Sequence, residues 1–203
     1  TALSSTSFVV AYRDDRNSDQ GTASVGTVSG TTITYGDEVV FNAASTGDPS
    51  ITALSSTSFV VAYTDFGNSG HGTAIVGTVS VTDDITYDDE FVFNAAFTSF
   101  LSIAALSSTS FVVAYNDGGN SGHGTAIIGM VSGIDITYGD EVVFNAASTN
   151  DLSITTLSST SFVVAYRDVG NIDEGTAIVG TVSGADITYD DEFVFNAAFT
   201  SFL

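Results

Sequence analysis

The clearest hydrophobic pattern in the sequence is a block of five apolar residues, Phe59-Val60-Val61-Ala62-Tyr63. Successive side chains of a strand point to opposite faces, so Phe59, Val61 and Tyr63 share one face and Val60 and Ala62 the other. Both faces are apolar, which predicts a strand covered on both sides. The flanking pattern predicts further strands. Ser50–Leu54 alternates as a short strand, and Ser55–Ser58 reads as a turn. Asp65–Gly72 is a Gly/Asn/Asp turn, Thr73–Ser80 a third strand, and Ile85–Phe93 a longer outer strand kinked at Asp88-Asp89. The Val, Ile, Thr, Phe and Tyr content suits strands, and no window sustains a helical period. Short strands separated by turn signals at this spacing are an all-β pattern.

The same unit occurs four times. SSTSFVVAY stands at Ser4–Tyr12, Ser55–Tyr63, Ser107–Tyr115 and Ser158–Tyr166, with anchors Phe8, Phe59, Phe111 and Phe162 spaced 51, 52 and 51 residues apart. A GTA-x-VG-type segment follows each time, then ITY, acidic residues and a stretch ending in FNAA. The chain therefore reads as a single repeat domain, 1–203, with units at approximately 1–49, 50–101, 102–152 and 153–203. One such unit cannot cover both faces of its second strand, whereas a β-propeller sandwiches each blade between two neighbours. The expected fold is a β-propeller of four blades, each four-stranded and about 51 residues long. Two internally duplicated β-sandwich domains are the alternative, and an open stack is a third arrangement. Ala74, Val76 and Gly77 are expected to let neighbouring sheets approach closely. The NAAST and NAAFTSF segments are expected to lead from one outer strand to the next inner strand. Head and tail are nearly in phase, which fits closure into a four-bladed ring or a window on a longer array.

Composition narrows the function classes. The 203 residues hold 24 acids against three bases (Arg13, Arg16 and Arg167), a formal charge of -21. Nothing here would neutralise a row of phosphates or favour an anionic membrane surface. No apolar run approaches the roughly 20 residues that span a bilayer. The absence of cysteine excludes disulfides, thiol nucleophiles and thiolate metal sites.

The repeat resembles tandem repeats of secreted or virion-surface proteins from aquatic microbes and their phages. The matching residues are Phe111–Tyr115, Asp117–Ser121 and Gly124–Ser132, with counterparts in the other copies. The resemblance implies an exposed structural or adhesive part, and it carries over no catalytic residue. Asp65–Ser69 also half-resembles the Asp-box turn of sialidase-type propellers.

Candidate chemistry is sparse. An Asp-x-x-Asn turn recurs as Asp14/Asn17, Asp65/Asn68, Asp117/Asn120 and Asp168/Asn171. It reads as an Asx turn, in which the short side chain bonds the local backbone, or as a weak calcium site lacking the alternate-oxygen spacing of a strong one. The clusters Asp37-Glu38, Asp88–Glu90, Asp140-Glu141 and Asp190–Glu192 read as a solvated acidic rim that blocks edge pairing. His71 and His123 occupy equivalent turns of different units, too far apart to share a metal. Arg13 and Arg167 share a repeat position and read as surface residues. Tyr12, Tyr63, Tyr115 and Tyr166 are candidate sugar-stacking platforms in a chain without Trp.

One feature breaks the repetition. The even units gain Phe91, Phe97, Phe100 and Leu101, and Phe193, Phe199, Phe202 and Leu203. In a closed disc these would form opposed patches, and Phe97, Phe100, Leu101, Phe199, Phe202 and Leu203 are the candidate self-assembly contacts. The combined expectation is a non-catalytic extracellular or surface-exposed structural protein, part of a fibre, sheath or surface assembly. Its partners are copies of itself, with no nucleic acid and no membrane insertion, and no cofactor is called for beyond weak calcium. The alternative is a multivalent carbohydrate-binding lectin or adhesin, calcium-assisted.

Overall fold

A computed structural model describes residues 1–201; Phe202 and Leu203 lie outside the described residues. The first blade holds β1 (Ser7–Asp14), β2 (Gln20–Ser29), β3 (Thr32–Tyr35) and the start of β4 (Val39–Ala53). The second continues β4 and adds β5 (Ser58–Asp65), β6 (His71–Val79) and the start of β7 (Ile85–Ser107). The third continues β7 with β8 (Ser110–Asp117), β9 (His123–Ser132), β10 (Asp135–Tyr138) and the start of β11 (Val142–Ser158). The fourth continues β11 with β12 (Ser161–Asp168), β13 (Glu174–Ser183), β14 (Asp186–Tyr189) and β15 (Phe193–Phe199).

All pairing within a blade is antiparallel, and the long strands change partner midway. In β4, Val39–Ser45 pairs with β2, and Thr46–Ala53 pairs with β5. The same handover occurs within β7 between Phe97 and Thr98, and within β11 between Ser148 and Thr149. The NAAST and NAAFTSF segments are thus the expected bridges from outer to inner strand, and the blade boundaries fall a few residues before the repeat boundaries read from the sequence. Hydroxyls of one inner strand accept backbone N–H groups of the next: Ile103 N–H on Ser50 Oγ at 3.3 Å and Ala105 N–H on Thr52 Oγ1 at 3.1 Å.

Burial follows the two-faced pattern of the second strands. Phe59, Val61 and Tyr63 pack towards the first blade with Val9, Val25 and Phe41. Val60 and Ala62 face the other way, against Phe111, Val113 and Tyr115 of the third blade. Val112 and Ala114 of the third blade meet Phe162, Val164 and Tyr166 of the fourth. The apolar core is therefore three seams between four blades. A closed ring of four would need a fourth seam, and among the described residues no strand pairing or apolar cluster joins the first blade to the last. The architecture is propeller-like and open. Ring closure is not realised, and the opposed placement of the even units, which required it, goes with it.

The glycines of the third strands have a different role from the one their small size implied. Gly77 is the cross-strand partner of Phe59 within one blade, and a Cβ there would overlap the Phe59 ring. Gly26, Gly129 and Gly180 are covered in the same way by Phe8, Phe111 and Phe162. The missing side chain makes room for an aromatic ring lying across its own sheet, not for a neighbouring sheet.

Candidate functional site

Each seam repeats one constellation. A Phe from the outer strand of one blade inserts between two tyrosines of the next: Phe41 lies 5.1 Å from Tyr63 and 6.0 Å from Tyr87, centroid to centroid. Phe93 with Tyr115 and Tyr138, and Phe144 with Tyr166 and Tyr189, repeat the arrangement. Tilted and edge-on pairs of this kind add about 0.5–1.5 kcal/mol beyond their area burial. One tyrosine of each pair has a carboxylate partner for its hydroxyl. Tyr63, Tyr115 and Tyr166 each donate to the glutamate at the end of their own blade's acidic cluster, Glu90, Glu141 and Glu192, at 2.7 Å.

Burial, and secondarily the adjacent glutamate, pushes Tyr63, Tyr115 and Tyr166 far above the ordinary phenol range. Tyr87, Tyr138 and Tyr189 are raised by burial alone. Tyr12, the counterpart in the first blade, donates to Glu38 at 2.6 Å and is pushed up to about 12 by desolvation and then by Glu38. The glutamates lie exposed, as a solvated rim requires, and they also accept the tyrosine hydroxyls, a structural role beyond that reading. The tyrosines at these positions in the second, third and fourth blades are fully buried, so they offer no ring to a sugar.

A polar latch crosses each seam beside the rings. Asn42 Nδ2 donates to Thr46 Oγ1 at 3.0 Å and to Asp65 Oδ1 of the next blade at 3.2 Å. Its Oδ1 accepts the Ala44 N–H. Asn94 with Thr98 and Asp117, and Asn145 with Thr149 and Asp168, repeat this at 3.0–3.1 Å. These asparagines were not singled out in the sequence. Their signal was available: a Thr four residues after each Asn of FNAA and, for the first three, an Asp 23 residues after it.

The structure places the Asp-x-x-Asn turns at the same latch. Asp65, Asp117 and Asp168 cap short 3-10 turns by accepting the N–H of Gly67, Gly119 and Gly170. The oxygen that accepts this N–H is the one that accepts the Asn amide. Asp14 accepts the Arg16 N–H. Asn68 and Asn120 lie exposed on these turns, while Asn17 and Asn171 donate to Gln20 and Glu174. The Asx reading describes this geometry, and among the described residues no three His, Cys, Asp or Glu side chains gather as a metal site. His71 and His123 sit half-buried at the start of β6 and β9, opposite Asp65 and Asp117. Arg13 pairs with Asp15 and Asp19, both at 2.9 Å. Arg167 lies 3.2 Å from Asp151, 3.8 Å from Asp173 and 5.4 Å over the Phe199 ring.

The candidate assembly residues are scattered. Phe97 is exposed and lies 6.4 Å from Phe66. Phe100 is partly exposed at a strand bulge with φ of 49°, and its N–H donates to Asp48 of the preceding unit. Leu101 is buried in the seam between the second and third blades, so it belongs to the core and not to a surface patch. Phe199 is exposed. Phe202 and Leu203 fall outside the described residues.

Two further apolar surfaces lie on the first and fourth blades. On the first blade Val10, Tyr12, Ser24, Tyr35, Gly36 and Glu38 line an open groove of about 380 Å³. On the fourth blade Phe195 projects from β15, 55% exposed, where Phe41, Phe93 and Phe144 are 5%, 6% and 5% exposed.

The sequence matches no protein-family model and no curated protein. Solved structures resemble it in fold. A K499G mutant of NanB sialidase from Streptococcus pneumoniae aligns with a TM-score of 0.58 at 14% identity, over 83% of this chain and 27% of that one. The leech intramolecular trans-sialidase, complexed with 2,7-anhydro-Neu5Ac, aligns with a TM-score of 0.54 at 11% identity, over 88% of this chain and 30% of that one. The chain thus spans less than a third of either structure. At these identities the likeness establishes a β-propeller-type fold.

Proposed function

We propose that the chain is a non-catalytic, extracellular structural protein, a repeat-built propeller-type unit of a fibre, sheath or surface assembly. One observation carries the reading: the distinctive polar groups of the repeats are engaged in bonds within and between the blades. The Asn–Thr–Asp latch, the Tyr–Glu pair and the inner-strand hydroxyls recur at corresponding places and bond one another. A catalytic centre needs groups in unlike environments, whereas these sit in like environments. Arg13 and Arg167 are each placed against two carboxylates of their own surroundings. No helix of the described residues is long and apolar enough to cross a membrane.

Negative-stain images of the protein in saline, together with an assay for hydrolysis of a fluorogenic sialoside, test the proposal. Ordered assemblies without turnover are expected. Discrete particles that cleave the sialoside would overturn it.

A second reading, multivalent carbohydrate binding, draws support from the fold shared with the sialidase structures and from the exposed Phe66–Phe97 pair. A glycan array with and without calcium tests it. Binding lost on Phe97→Ser would favour the lectin over the scaffold.

A further inference from the structure

The fourth blade fills from within a place that the second blade leaves without a cation. In the fourth blade the Arg167 guanidinium lies 5.4 Å over the Phe199 ring, 3.2 Å from Asp151 and 3.8 Å from Asp173. Strand pairing sets this arrangement. Arg167 stands opposite Asn150, the neighbour of Asp151, and Phe199 stands opposite Glu174. The second blade has the same register: Thr64 stands opposite Gly47, the neighbour of Asp48, and Phe97 opposite His71. Asp48 and Phe97 are thus the counterparts of Asp151 and Phe199. Both aspartates hold the left-handed conformation, at φ of 47° and 44°. What differs is the cation, since Thr64 takes the place of Arg167.

The second blade also adds a ring. Phe66 stands where the other units carry Asp15, Gly118 and Val169, so it breaks the repetition at this place. Its ring lies over Gly47, where a Cβ would come within 2.8 Å of it, and 6.4 Å from Phe97. Phe97 is backed in the same way by Gly70. Glycines beneath both rings hold them close to the backbone, yet both remain about half exposed. Asp48 is exposed and uses one carboxylate oxygen to accept the Phe100 N–H at 3.0 Å. A cation over a phenylalanine face is attracted by the ring quadrupole. The net charge of -21 favours a positive ligand over an anionic one.

We propose that Asp48, Phe66 and Phe97 of the second blade form a site for a guanidinium group from outside the chain, such as a ligand's arginine side chain. The guanidinium stacks on the exposed rings and pairs with Asp48, as Arg167 stacks on Phe199 and pairs with Asp151 in the fourth blade. Gly70 stands where the fourth blade has Asp173, so the site offers one carboxylate where the internal one has two, and its affinity for a single guanidinium is weak. This goes beyond both functional readings above and depends on neither. Every residue of the site lies between Gly47 and Phe97.

Proton–nitrogen NMR of the whole chain, titrated at low salt with N-acetyl-arginine amide, tests this. Saturable shifts are expected at the amides of Asp48, Phe66 and Phe97. N-acetyl-citrulline amide, of like shape but uncharged, is expected to cause none. Phe97→Leu, which removes an exposed ring, is expected to weaken binding about two- to fivefold. Asp48→Asn keeps an acceptor for the Phe100 N–H and a residue that tolerates the left-handed backbone, and is expected to weaken binding by a similar factor. The double variant Thr64→Arg/Phe66→Val reproduces the fourth-blade residues and is expected to abolish binding, with amide dispersion like the parent's showing that it folds. Shifts absent up to the solubility limit of the arginine amide would overturn the site. So would equal shifts with the citrulline amide, or binding unchanged by Phe97→Leu and Asp48→Asn. Saturable shifts at the same amides with cellotetraose, and none with the arginine amide, would overturn it in favour of a sugar platform.

Discussion

Phe93 and Phe195 occupy the same place in the repeat, yet one is 6% exposed and the other 55%. The second strands show the same contrast. In β5 and β8 all residues from Phe to Asp are buried, whereas β12 alternates buried and half-buried, and in β1 only Val9 is buried. Identical sequence thus gives different burial according to the number of neighbours. A blade does not carry its own core. It carries two half-cores, and stability resides in the seams, as expected of stacked repeats.

The comparison can be broken most forcefully at the aromatic ring. Phe93→Ala is expected to cost about 3–5 kcal/mol, the usual range for emptying a buried aromatic site. Phe195→Ala, at an exposed position, is expected to stay within about 0.5 kcal/mol in the monomer. Urea unfolding of both variants checks this, and equal losses would contradict the seam account. The latch gives a smaller contrast. Asn94→Ala removes the amide from buried Asp117 and Thr98 and is expected to cost about 1–3 kcal/mol. Asn196→Ala, lacking the carboxylate partner, is expected to cost well under half as much in the same experiment.

Alkaline pH sharpens the contrast further. Six tyrosines within the seams are raised above their unfolded value near 10, so the neutral phenol favours the folded state. Their contribution is fully present below pH 10 and falls away as the pH rises towards the folded values. Absorbance at 295 nm is expected to show Tyr12 titrating near 12 in the folded chain. The seam tyrosines are expected to ionise only with unfolding. The smallest effect concerns metal. A chelator is expected to leave the melting temperature unchanged, since the Asp oxygens at the turns already accept Asn and backbone N–H groups. A fall on adding EDTA would return those turns to a calcium role.

Much of this was readable in the residues. The two apolar faces of Phe59–Tyr63 required neighbours on both sides, and the FNAA segment was placed correctly as the bridge between blades. The Tyr–Glu pairs escaped because a carboxylate in an acidic run looks solvated until the strand opposite supplies a hydroxyl 26 or 27 residues away. The role of Gly77 is not legible in the sequence because period-2 alternation gives the face of a side chain but not the direction in which Phe59 lies. Closure was not legible at all. It depends on the rotation between blades, which near-identical repeats leave unspecified, since each seam is local.

Hydrogen–deuterium exchange on the dilute chain tests the central claim most directly, by following amides of the four second strands and of β15. Protection is expected to be greatest in β5 and β8, which are sandwiched on both sides, and lower in β12. It should be lower still in β1, with β15 exchanging fastest. Equal protection of β1, β5, β8 and β15 in the monomer would mean that each blade is stable by itself, and the seam would no longer explain the fold.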